Sequence, residues 1–72
     1  MKKYEATVVG RKDFTDPAND QKNYSVLHCI SEPIWSNGFT GNQCFTSYVD
    51  YQSYDVGDRV EFIYHKGEYI IF

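Results

Sequence analysis

Apolar and polar residues alternate one by one along most of this chain of 72 residues, and no stretch of about eleven residues or more carries an apolar stripe at helical spacing. Successive side chains of an extended strand point to opposite faces, so this pattern describes half-buried strands. β-Branched and aromatic residues fill the alternating positions, and Gly, Asn, Asp and Ser interrupt them often. The chain therefore reads as one all-β domain over residues 1–72. At this length a fold hides only about 60% of the surface that its unfolded chain exposes, enough for one core with no deep pocket beside it. Seven Tyr, five Phe and one Trp supply that core with large area at small entropic cost. They are also the side chains that stack on bases and anchor partner proteins.

Five strands are expected. The first covers residues 3–14: Tyr4, Ala6 and Val8 alternate with Glu5, Thr7 and Val9 until Gly10, which marks a bulge or sharp bend. A polar loop with Pro17 follows over 15–22, and the second strand covers 23–31. Asn37-Gly38 between apolar runs is a hairpin signal, because a type I′ turn needs positive φ at both central residues. With those two as the loop, Ile30 faces Phe45, Val26 faces Val49 and Tyr24 faces Tyr51. This set is the more apolar and is expected inward. Leu27 with Tyr48, Cys29 with Thr46 and Ser31 with Cys44 then share the outer face. Pro33 and Gly41 are places where a bulge would shift this register, and a slip of one residue exchanges the faces of a strand. Residues 52–58 form a short turn, 59–65 the fourth strand, Lys66-Gly67 a tight turn and 68–72 the fifth strand. So many strands in so short a chain leave edges to cover, and closure does that. The expected architecture is a small five-stranded antiparallel barrel, OB-fold-like, with an SH3-like barrel as the alternative. The long first strand kinked at a glycine and the polar loop after it favour the former.

Formal net charge is −3, which argues against a purely electrostatic grip on nucleic acid or on an anionic membrane. Residues 23–58 contain no Lys or Arg, so any basic surface comes from Lys2, Lys3, Arg11, Lys12 and Lys22. No apolar run approaches the roughly 20 residues of a membrane helix, nor does a signal-peptide core follow the first lysines. A cytoplasmic protein with no membrane association is expected, its cysteines reduced.

The segments Gly10-Arg11-Lys12-Asp13-Phe14, Val56-Gly57-Asp58-Arg59-Val60 and Tyr64-His65-Lys66-Gly67 end the first strand, open the fourth and make the last turn. In this layout, over nearly its whole length, the chain resembles small OB-fold proteins of bacterial phages and conjugative mobile elements, some of them single-stranded-DNA-binding. The resemblance implies a ligand lying across strands two and three, between the loop joining strands one and two and the loop joining strands four and five. Carried onto this sequence, it points to Lys12, Phe14, Lys22, Leu27, Tyr48 and Lys66. The departure from such binders is the absence of Lys and Arg from strands two and three.

Single-strand binders pair a basic groove with aromatic platforms, each stacked base contributing roughly 1–3 kcal/mol. Tyr48 and Phe14 are the candidate platforms, with Arg11, Lys12 and Lys22 for phosphates. Either ring could instead close an end of the barrel. Trp35, beside the Asn-Gly turn, is either an exposed anchor or a lid folded over the barrel mouth. Cys29, Cys44, His28 and His65 have the wrong spacing for zinc, and adjacent His28 and Cys29 point to opposite faces. The thiols read as buried and inert, and no metal or cofactor is expected. No nucleophile elbow, phosphate loop or paired-carboxylate motif is present, so the chain does not read as an enzyme. The leading expectation is a binder of single-stranded DNA or RNA with little sequence specificity. Self-association into a homo-oligomer would add contacts. The rival is a protein-interaction module or small inhibitor that uses the acidic, tyrosine-rich stretch 48–55 against a protein partner. If Tyr48 and Tyr51 lie beside Lys12 and Lys22, nucleic acid is favoured. If they lie beside Asp50 and Asp55 on an unbroken negative patch, the protein partner is.

Overall fold

Tyr4, Ala6 and Val8 do what their alternation predicts: Ala6 and Val8 are buried and Tyr4 packs against the core. The computed structural model describes residues 2–18, 22–36 and 38–72. Its strands are β1 (Tyr4–Asp16), β2 (Lys22–Ser31), β3 (Cys44–Asp50), β4 (Arg59–His65) and β5 (Glu68–Ile71). They form one antiparallel sheet in the order β3-β2-β1-β4-β5. Among the described residues no helix is long and apolar enough to cross a membrane.

The bulge expected at Gly10 is present, between Val8 and Gly10, with Val9 the extra residue. It divides β1 in two. Residues Tyr4 to Thr7 pair with β4 on one side, while the stretch beyond the bulge pairs with β2 alone. The bulge also exchanges the faces of the strand: Ala6 and Val8 point inward before it, whereas Lys12 and Phe14 are exposed after it.

The β2–β3 register differs from the expected one by a single residue. Ile34 and Gly41 are bridged as the Asn-Gly hairpin requires, and Phe39 N–H donates to Ser36 O at 3.0 Å across a tip that contains Gly38 at φ +84°. Asn37 itself lies outside the described residues. Below this bridge Ser31 N–H donates to Gln43 O at 2.8 Å, so Glu32 and Pro33 stand opposite Asn42 alone. Pro33 has no N–H for the ladder, and the Glu32 N–H turns instead to Glu5 O on β1 at 2.9 Å. The slip carries down the hairpin: Ile30 faces Cys44, Val26 faces Tyr48 and Tyr24 faces Asp50. The inward set of β2 is therefore Ser25, Leu27, Cys29 and Ser31, not Tyr24, Val26 and Ile30. Phe45 on β3 is inward as expected, while Tyr51 is exposed.

The core holds Ala6, Val8, Leu27, Cys29, Ile34, Phe45, Val60 and Phe62. An aromatic cluster extends it, with Tyr69 stacked on Phe45 at 4.5 Å and Phe39 edge-on to Tyr64 at 5.0 Å. The lid from the β2–β3 connection is thus Phe39; Trp35 is 76% exposed. The two thiols differ. Burial pushes Cys29 up to about 11, whereas Cys44, read as a buried thiol, is exposed on the outer face of β3 beside the inward Phe45.

The sheet is not closed into a barrel. No backbone ladder joins its edge strands β3 and β5, which instead meet through the Phe45–Tyr69 stack and a 3.4 Å bond from Ser47 Oγ to Tyr69 O. A groove of about 430 Å³ follows this seam.

Candidate nucleic-acid interface

Beyond the bulge, β1, β2 and β3 form a three-stranded wing whose outer face is ordered in rows by the register. One row is Phe14, Tyr24 and Asp50; the next is Lys12, Val26 and Tyr48; the third is Gly10, His28 and Thr46. Directly opposed side chains on one face lie within contact distance, and long ones reach the diagonal neighbour. The rings do so here. Phe14 stacks on Tyr24 with centroids 5.4 Å apart and planes 20° apart, and Tyr24 meets Tyr48 at 5.8 Å and 52°. The result is an aromatic row across three strands. Tyr48 is 77% exposed and Phe14 41%. Lys12 and Lys22 are exposed on the same face, in the rows to either side of the Phe14–Tyr24 pair, and neither has an ion-pair partner among the described residues.

The inner face of the wing is closed by polar chemistry. Arg11 points to this side, where its guanidinium donates to Tyr54 O at 2.9 Å and pairs with Asp13 and Asp55. The buried Ser25 hydroxyl donates to Asp13 Oδ1 at 2.6 Å and accepts from Gln52 N–H at 2.9 Å. Gln52 Nε2 donates to Asp13 Oδ2 at 3.2 Å. The Ser25 bond, then the Gln52 bond, then the Arg11 charge hold the Asp13 carboxyl below the usual carboxylate range, with slight burial opposing them. This network ties residues 51–58 beneath the wing.

Of the eight residues expected at a nucleic-acid site, the structure brings Lys12, Phe14, Lys22 and Tyr48 to one face. Arg11 is on the other, engaged with Asp13 and Asp55. Leu27 cannot contact a ligand: the slip in register makes it fully buried. Trp35 lies at the far end of β2 from Tyr24, over Gly41. Lys66 sits in the β4–β5 turn, whose Gly67 lines the seam groove together with Tyr48. Sequence reasoning missed Tyr24, which joins the two chosen rings, and Asp50, the carboxylate opposite it. The signal was the two-residue period itself, read one residue out of phase.

The acidic stretch 48–55 is not an unbroken patch. Asp55 is paired with Arg11, Tyr54 packs against the core and Val49 points inward, while Tyr48 shares its row with Lys12. Tyr51 accepts a hydrogen bond from Gln52 Nε2 at 3.2 Å. Among the described residues no three His, Cys, Asp or Glu side chains group as metal ligands. No protein-family model, no curated protein and no solved structure matches this chain.

Proposed function

We propose that the chain binds single-stranded DNA or RNA with little sequence specificity, through the outer face of the β1–β2–β3 wing. The observation that carries this reading is the Phe14–Tyr24–Tyr48 row: partly exposed rings at centroid separations of 5.4 and 5.8 Å, with two exposed lysines beside them. Every base has a π-face, so stacking on such a row tolerates any sequence, and lysines beside it meet the phosphates as point charges. The overall reading is that of a partly open barrel of the OB type, whose ligands cross strands two and three between the loops after strands one and four. Three features support it: the kinked β1 shared by both halves of the sheet, the meeting of β3 and β5 edges, and the Lys66-Gly67 turn beside Tyr48.

The test is fluorescence anisotropy of a labelled 20-mer single strand at low and moderate salt. Two or three lysines on phosphates give a slope of log K against log salt of about −1.4 to −2. Tyr48→Ala is expected to weaken binding by roughly 5- to 150-fold, the equivalent of about 1–3 kcal/mol of stacking. Absence of binding at low salt and high protein concentration overturns the reading and favours the protein partner.

A further inference from the structure

The wing face is charged asymmetrically. Its lysines stand on β1 and β2, whereas its third strand presents Asp50 directly opposite Tyr24. Among the described residues, three other acidic groups near the wing are occupied. Asp13 accepts from Ser25 and Gln52, Asp55 pairs with Arg11, and Asp16 accepts from Ala18 N–H at 3.0 Å. Asp50 alone among these four keeps its carboxylate without a hydrogen-bond or ion-pair partner among the described residues; its backbone carbonyl accepts from Ser53. A free carboxylate repels phosphate, so at a nucleic-acid face it must meet a hydrogen-bond donor.

We propose that Asp50 reads the base stacked on Tyr24 and prefers guanine. The inference rests on the nucleic-acid reading above. A nucleotide laid over Tyr24 with its phosphate toward Lys12 and Lys22 turns the edge of its base toward β3 and Asp50. Guanine offers adjacent N1–H and N2–H donors on that edge, which match the two oxygens of a carboxylate in a bidentate pair. Adenine and cytosine offer one exocyclic amino group each. Thymine offers one N–H flanked by two carbonyls that the carboxylate repels. The preference acts at one stacked position and leaves the rest of the strand unread.

The experiment compares labelled dT 12-mers that carry one central dG, dA, dC or deoxyinosine with the all-dT strand, by anisotropy at fixed salt. The dG strand is expected to bind roughly tenfold tighter than all-dT. Deoxyinosine, which lacks the N2 amino group, should fall between them. In Asp50→Asn, an exposed substitution, affinity for all-dT should rise while the dG advantage shrinks. Tight binding of every strand with no dG advantage overturns the role of Asp50 and leaves the stacking face intact. The same holds for a dG advantage that persists unchanged in Asp50→Asn. Failure of every strand to bind overturns the nucleic-acid reading itself.

Discussion

Ser25 is the residue on which the inner face of the wing turns. It is fully buried, and its one hydroxyl serves two partners, the Asp13 carboxylate and the Gln52 N–H. Ser25→Ala should lower stability by about 1–2 kcal/mol at neutral pH, since a buried hydroxyl with two bonds is lost. The pH dependence has a definite sign. Asp13 has a lowered folded-state value, so its contribution is present above the ordinary carboxylate range and fades as pH falls through that lowered value. The gap between wild type and Ser25→Ala should therefore be widest at neutral pH and narrow in acid, as urea unfolding over a pH series will show. A gap independent of pH would mean that Asp13 gains nothing from the hydroxyl. None of this network was legible in the sequence. Asp13 and Gln52 are far apart in the chain, and Arg11 reads as an ordinary phosphate ligand until its partner Asp55, on a distant turn, is seen beside it.

Among the elements, the strands were legible and their phase was not. Alternation located all five, with β4 at its observed bounds, because period two is a local property of the chain. The register between β2 and β3 depends on what happens between them. There, Pro33 and the turn of Glu32 toward β1 insert one residue that no pattern of apolar positions announces. That single step moved Leu27 from the expected ligand face into the core and brought Tyr24 out. Trp35 and Phe39 flank one turn and both suit a lid; only packing against Tyr64 and Tyr69 chooses Phe39. Two glycines make a prediction of opposite signs. Gly67 has φ +81° and follows Lys66 at φ +51°, the positive pair that a two-residue hairpin turn requires. Gly67→Ala should cost about 1–2 kcal/mol although the space around it is open. Gly10 lies outside the left-handed region, and a Cβ there meets His28 Cβ at an ordinary 3.5 Å. Gly10→Ala should gain about 0.4–1 kcal/mol by restricting the unfolded chain. Thermal unfolding of both variants checks the pair.

At the scale of the whole molecule, the radius of gyration of 13.1 Å exceeds the roughly 11 Å of a compact chain of this length. The excess belongs to the β1–β2 ribbon, which extends past the end of the β1–β4 pairing. The remainder depends on a small aromatic core at the seam. A domain of this size has about 4–11 kcal/mol of stability in all. Phe45→Ala removes the ring that stacks on Tyr69 and packs at a tilt against Phe62, at a cost of about 3–5 kcal/mol. A large fall in the urea midpoint is expected; a shift of only a few tenths of a molar would mean that the seam contributes little. The feature with the widest reach is nevertheless Val9. One residue without a partner makes the two halves of the first strand count in opposite parity: even positions fill the interior before it and lie on the outer face of the wing after it. Insertions and deletions in this strand are thereby restricted to even numbers. An odd change would send Lys12 and Phe14 inward and present Arg11 and Asp13 outward, leaving the two faces of the wing each in possession of the other's residues.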